Sequence, residues 1–304
     1  MYLRFILIIV LYLGWCLDVM GQNAADLGES NIYRLQGEGM ELAIDGNVGA
    51  RAVSFKLDGT EIFGSRALHP NSYGSTLWLG PQGKWKGHKV LDASPYSLGS
   101  YNQRELRLLS GNDSLNGFTV SKYFRLNTPD SSIAIRYTIT NISKKNQEVA
   151  PWEVTRVPTG GLALFPKGIP TDIPSGHRGL PYLKIKDSLG IIWYPYDRST
   201  NSREKLFMYG SEGWLAYVRD GILFIKKFPE IDPSEAAPGE KNVEVFVNKE
   251  KTYIELENQG IYKSLPSGAS LTYSVKWYAR RLPHGLRPEI GNMDLVEYIR
   301  KVVE

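Results

Sequence analysis

Cysteine is nearly absent: the 304-residue chain has one, Cys16, inside an apolar N-terminal stretch. A disulfide framework and a thiolate metal cluster are therefore excluded. Histidine is scarce too, and His69, His88, His177 and His284 never fall at metal-ligand spacing. Charge of one sign is missing, since 36 basic and 32 acidic residues leave +4 with the two signs interspersed along the chain. Such a balance implies neither a nucleic-acid partner nor a bilayer surface. No glycine-rich phosphate cradle opens a helix after a strand, so no cofactor is expected. The elbow Gly-x-Ser-x-Gly of serine hydrolases is lacking as well. No fixed-period repeat occurs, which excludes a propeller or a solenoid. The acidic loop "EIDPSEAAPGE", residues 230–240, offers Asp232 and Glu235 to a calcium ion. It lacks the ordered ligand spacing of a helix-loop-helix site and reads as a solvated loop.

The long apolar run needed to cross a bilayer, roughly 20 residues, is also missing. What is present is shorter: Arg4, then "FILIIVLYLGW". This is the pattern of a signal peptide. Trp15 before Cys16 does not suit a lipoprotein processing site, whereas "VMG", residues 19–21, offers a cut before Gln22. The expected organisation is a leader over 1–21, a flexible polar stretch over 22–31 and one domain over 32–304, in the periplasm or outside the cell. Cleavage removes Arg4 and Asp18 together, so the net charge stays +4.

From Tyr33 onward the chain is a succession of short runs with a two-residue period, among them "RAVSFKL", "FTVSKYFRL", "SSIAIRYTITN" and "SLTYSVKWYARR". Period two is the mark of half-buried strands. At least a dozen strands are expected, with tight turns at "LDG" (57–59) and "RDG" (219–221). Residues 293–302, "MDLVEYIRKV", alone carry helical spacing, and Asn292 stands where a cap belongs. The fold class is thus all-β, a large antiparallel sandwich with a short C-terminal helix. Loops over 64–88, 158–182 and 228–240 interrupt it and are natural carriers of binding residues.

Aromatics are plentiful, with 7 Trp, 18 Tyr and 10 Phe. An indole can lie against the apolar face of a sugar while a carboxylate or guanidinium bonds its hydroxyls. Trp85 in "GPQGKWKGHK", Trp78 in "STLWL", and Trp152 with Arg156 in "APWEVTRV" are candidate contacts. Glu153 shares that last segment, although on an ideal strand it points away from Trp152 and Arg156. Trp277 alternates with Val275 and Tyr273 and is expected to be buried.

"GARAVSFKLDGTEIF" (49–63) resembles the opening strands of aldose 1-epimerases, the galactose-mutarotase-like supersandwich family. "YIELENQGIYKSLPSGASLTYSVKWY" (253–278) is similar to their C-terminal pattern. "GSTLWLGPQ" and "APWEVTRV" resemble segments of an uncharacterised bacterial family of secreted mutarotase-like proteins. The resemblance implies a carboxylate base at Glu255 or Glu257 and a histidine acid. Those two glutamates share one strand face, with Ile254 and Leu256 turned to the core. The expectation is that they stand on a polar, solvated face. The family's His-x-x-Phe-Asn pattern is absent; His69 lies early, and His177 in "PSGHRG" has different surroundings. Glu153 is the alternative acid.

Three readings follow. The first is a secreted or periplasmic protein that binds a carbohydrate on the open concave side of its sheet. The second is a carbohydrate-active enzyme, whether epimerase, glycoside hydrolase or lyase; for a lyase, Arg156 or Arg178 would neutralise the carboxylate of an acidic sugar. The third is an envelope-protein interaction domain. Sugar identity, reaction class and oligomeric state are left open by the sequence.

Overall fold

The computed structural model describes residues 31–169, 185–196 and 204–304. The expected leader lies outside these residues, as does the polar stretch after it apart from Asn31.

Two large sheets, each of 10 strands among the described residues, carry the chain. The first runs β1 (Ile32–Gly37), β2 (Met40–Asp45), β3 (Arg51–Leu57), β5 (Ser75–Gly80), β10 (Gln147–Pro158), β18 (Tyr253–Gln259), β17 (Val243–Val247) and β14 (Glu204–Met208). To it are added β4 (Thr60–Glu61) on β3 and β19 (Lys263–Leu265) on β10. The second runs β12 (Lys186–Ser188), β13 (Ile191–Pro195), β11 (Leu162–Pro166), β15 (Trp214–Arg219), β16 (Ile222–Lys227), β20 (Ser270–Arg281), β9 (Ser132–Asn141), β8 (Phe118–Asn127), β7 (Glu105–Ser110) and β6 (Tyr96–Tyr101). The expected antiparallel sandwich is the fold.

Alternation explains how the sheets pair. In β8, Phe118, Val120, Phe124 and Leu126 are buried while Thr119, Ser121 and Tyr123 are not. Ile133, Ile135, Tyr137 and Ile139 of β9 continue that inner face. They join Leu42, Phe55, Leu77, Val157, Ile254 and Leu256 of the first sheet in one core. Each fully buried side chain of this size contributes about 1.5–3 kcal/mol, so the sandwich holds together without covalent staples.

Both expected hairpins form. Asp58 and Gly59 (φ 47° and 78°), like Asp220 and Gly221 (φ 52° and 73°), take left-handed angles. Turns of this kind match the twist of the strands they join. The helix α1 (Met293–Val303) starts where the Asn292 side chain accepts a bond from the Asp294 amide. Leu295, Val296 and Ile299 bury against Trp193, Trp214, Leu223 and Tyr278 on the outer side of the second sheet. Arg300 fastens it through two bonds to Glu212, at 2.9 and 2.6 Å. Among the described residues no helix is long and apolar enough to cross a membrane.

Candidate functional site

Strand β10 turns two different chemistries to its two sides. Val157 enters the core between the sheets, while Trp152 and Arg156 lie on the outer face of the first sheet. The neighbours of β10 are fixed by register: Arg156 stands opposite Glu255 of β18, and Trp152 stands opposite Trp78 of β5. Directly opposed residues are those whose side chains can meet. Accordingly, Arg156 Nε donates to Glu255 Oε1 at 2.8 Å, and the Trp152 and Trp78 rings meet edge to face at 5.1 Å. The Arg156 guanidinium also lies 5.0 Å from the centre of the Trp78 ring. Its Nη1 is buried without a hydrogen-bond partner.

Deeper along the face the cluster becomes more acidic. Trp152 Nε1 donates to Glu257 Oε2 at 2.8 Å, and Lys205 Nζ lies 3.6 Å from Glu257 Oε1. The Lys205 ammonium is ion-paired with Glu244, which stands opposite Glu257 across the β17–β18 pair. Gln259 Nε2 bonds Glu244 and Glu240 together, at 2.8 and 3.1 Å. Burial pushes the Glu244 and Glu257 carboxyls above their ordinary range, with Lys205 opposing the shift. Burial acts against Lys205 as well, yet the two carboxylates hold its ammonium protonated. One cation thus serves two carboxyls, and an additional proton has its place on the carboxyl side.

The other end of the face is reached by solvent. Trp78 and His88 stack with parallel rings at 5.6 Å. Asp92 follows His88 on the helical turn Lys89–Ala93. Its carboxylate accepts from Arg51 Nη2 at 2.8 Å and from the Thr76 hydroxyl. Burial works against the Asp92 carboxylate, but Arg51 and the bond from Thr76 keep its pKa low. Burial lowers that of His88, against the pull of Asp92 and Asp113.

The expected residues are therefore only partly brought together. Trp78, Trp152, Arg156, Glu255 and Glu257 share the outer face of the first sheet. The solvated face expected for the glutamates is corrected: Glu257 is sealed, and the Glu255 side chain is only 11% exposed. Opposed guanidinium and ammonium groups balance their charge and the Trp152 indole bonds Glu257, so burial follows without an apolar sequence. Glu153 points the other way, as its place on the strand requires. It lies between the sheets, bonded by Tyr137 Oη at 2.6 Å, Trp277 Nε1 at 3.0 Å and Lys226 Nζ at 3.1 Å. Trp277 is fully buried there, as its alternation predicts. His69 packs edge-on against Tyr253 at 5.5 Å, and its Nδ1 already accepts from the Asn71 and Ser72 amides. Trp85 packs against Phe118 instead of Trp152. His177 and Arg178 lie outside the described residues.

Arg51, His88, Asp92, Lys205 and Glu244 were not among the expected site residues. Nothing local marks Lys205 or Glu244, because their partners come from other strands. His88 and Asp92 follow the glycine-rich "GPQGKWKG" and could have been singled out by that loop's entry into the sheet face. Among the described residues no group of three or more His, Cys, Asp or Glu could hold a metal ion. Asp232 and Glu235 instead cap the turn Pro233–Glu235, Asp232 accepting from the Ser234 amide and Glu235 from the Asp232 amide. A cleft of about 510 Å³ lined by Asn102, Arg104, Glu105 and Arg125 shares no residue with this face.

The two-sheet sandwich is that of the galactose-mutarotase-like proteins. A galactose mutarotase-like protein from Lactobacillus casei ATCC 334 superposes with a TM-score of 0.63 at 11% identity, over 82% of this chain and all of the other. A protein of Synechocystis sp. PCC 6803 gives 0.57 at 13% identity, covering 83% and 96% of the two chains. A galactose mutarotase related enzyme from Lactobacillus acidophilus gives 0.54 at 10%, covering 84% and 99%. At such identities the likeness is one of fold. Residues 33–280 match the family model described as "Domain of unknown function (DUF4380)", and the chain belongs to that family. No curated protein matches it.

Proposed function

We propose that the protein is a secreted or periplasmic carbohydrate-binding protein whose ligand sits at the solvent-reached end of the outer face, against Trp78, His88, Asp92, Arg156 and Glu255. The observation that carries this reading is the Arg156–Glu255 pair set directly beside two indoles. An uncharged sugar needs apolar contact together with donors and acceptors fixed in place. The unpartnered Nη1 of Arg156 supplies a donor and the Glu255 carboxylate an acceptor. The N-terminal "FILIIVLYLGW" supports export, and the fold is shared with a protein described as galactose mutarotase-like.

Purified protein titrated with free sugars and glycan fractions, followed by ligand-observed NMR, tests the reading. Saturable binding lost in Arg156→Ala, with Trp85→Ala unchanged, is the expected result. Binding unaffected by Arg156→Ala would remove the site assignment.

An enzymatic reading rests on the contrast between the two neighbouring glutamates. Glu255 retains some exposure while Glu257 is sealed, so Glu255 is the one able to act as base on an anomeric hydroxyl and Glu257 is a positioning residue. The step takes the anomeric proton to Glu255 as the ring C–O bond opens, and a proton delivered to the ring oxygen completes it. Half-buried His88 is the titratable group placed beside Trp78 to deliver that proton. Faster anomeric exchange that disappears in Glu255→Gln would establish the reading; unchanged exchange rates in the wild type would end it.

A further inference from the structure

Five lysines from separate parts of the sequence converge at one end of the molecule. Lys84 and Lys86 come from the loop after β5, Lys144 and Lys145 from the turn between β9 and β10, and Lys263 from β19; all five are exposed. Hydrogen bonds tie these segments into one surface. The Lys86 amide donates to Asn116 Oδ1 at 3.0 Å, Gln147 Nε2 donates to the Asn116 carbonyl at 2.7 Å, and Lys84 Nζ donates to the Glu148 carbonyl at 2.6 Å. Lys263 is the register partner of Val149. The acidic groups within these segments are few. Asp113 is buried and bonded by Asn116, while the exposed Glu148 accepts from the Tyr262 hydroxyl.

Two aliphatic side chains stand out among the lysines. Leu115 is 62% exposed and Ile142 is 39% exposed. Their turns are joined, because the Ile142 amide donates to the Gly117 carbonyl at 2.8 Å. Lone exposed apolar residues are ordinary; two on joined turns, beside Lys86, Lys144 and Lys145, form an amphipathic tip.

We propose that this end of the protein docks on an anionic lipid surface, with Leu115 and Ile142 entering the boundary between headgroups and acyl chains and the lysines at the level of the phosphates. A soluble acidic polysaccharide would meet the charge but gives no role to the aliphatic pair. The nearby rings are also engaged: the Lys84 ammonium lies 4.9 Å from the Trp85 ring centre and 5.4 Å from that of Tyr262. Docking has a geometric consequence for the site. The loop carrying Lys84 and Lys86 continues into His88 and Asp92, so the solvent-reached end of the sheet face comes close to the headgroups. That consequence rests on the proposed carbohydrate site; the docking itself does not.

Co-sedimentation of the full chain with vesicles of phosphatidylcholine alone, and of phosphatidylcholine mixed with phosphatidylglycerol, tests the proposal. Greater partition onto the mixed vesicles is expected, and it weakens as salt is raised. Lys86→Glu/Lys144→Glu/Lys145→Glu is expected to reduce that partition about a hundredfold or more, given roughly a factor of five per lysine near an anionic surface. Leu115→Ser/Ile142→Ser, with the charge intact, is expected to reduce it as well. The apolar N-terminal run and the Arg4 before it are common to every variant, so the difference between wild type and variants on the mixed vesicles isolates the tip. Equal partition onto both vesicle types overturns the proposal. So does indifference to the lysine reversals, or a soluble acidic polysaccharide that binds more tightly than the vesicles without regard to Leu115 and Ile142. Far-ultraviolet circular dichroism confirms that these surface variants are folded.

Discussion

Lys226 Nζ lies 3.1 Å from Glu153 Oε1, and neither side chain reaches solvent. The ammonium also donates to the Leu256 carbonyl at 2.8 Å, so an inner residue of the second sheet grips the backbone of the first. Removing one member strands the other as a buried charge. Glu153→Ala is expected to cost about 3–5 kcal/mol in chemical denaturation, with Lys226→Met comparable. Combining Lys226→Met with Glu153→Gln is expected to recover part of that loss, since no unpaired charge remains.

Lys122 is a second buried ammonium of the sandwich interior, with a different fate. It donates to the Gly49 carbonyl at 2.6 Å and lies over the rings of Tyr96 and Tyr137. Burial pushes its pKa from 10.5 down to about 7, with Asp92 and Glu153 opposing that shift and Arg51 adding to it. Between pH 7 and 10.5 the native state binds fewer protons than the unfolded chain. Stability contributed by this group therefore rises with pH across that window, by up to about 1.4 kcal/mol per pH unit. Urea titrations are expected to show a steeper rise in the wild type than in Lys122→Met.

Gly49 takes a φ of 65°, and a side chain on it would meet the Asp92 backbone carbonyl. Gly49→Ala thus combines backbone strain with a clash against backbone. The expected loss exceeds about 1 kcal/mol, measured from the denaturant midpoint. Gly59→Ala makes a useful control, because its φ is also positive at 78° but nothing stands within 4 Å of the added carbon. It should cost less.

The Glu244 carboxyl is raised by burial, so above pH 4.5 the folded protein holds a proton that the unfolded chain releases. Its contribution becomes less favourable as pH rises, by on the order of 1 kcal/mol per pH unit through the interval between the two values. Glu244→Gln removes that dependence. The variant is expected to match the wild type below pH 4.5 and gain on it toward neutrality, as read from thermal midpoints over pH 4 to pH 8 (buffers chosen across roughly that range).

The fold class was legible because period two survives in strands such as "FTVSKYFRL", and because "LDG" and "RDG" supply residues able to take left-handed angles. The helix was legible through its spacing and Asn292. The outer face of the first sheet was harder to read. In "YIELENQ" every residue is buried, yet the alternation of apolar and charged residues is that of a half-solvated strand. What separates the two cases is the company of Glu255 and Glu257. Arg156 is 99 positions from Glu255, and Lys205 belongs to a third strand. The lysines were legible only as scattered charges, because their convergence depends on four connections between strands.

Strand β10 also has the character of a reading frame. Its Trp152 and Arg156 serve one face and its Glu153 the other, so a single residue inserted ahead of Trp152 would exchange the two sets along the segment. The Trp152 indole and the Arg156 guanidinium would then press into an interior that holds Lys226, and the glutamate that neutralises that lysine would be delivered outside. Substitution can therefore tune either side of this strand separately, whereas a change of length would disrupt both at once.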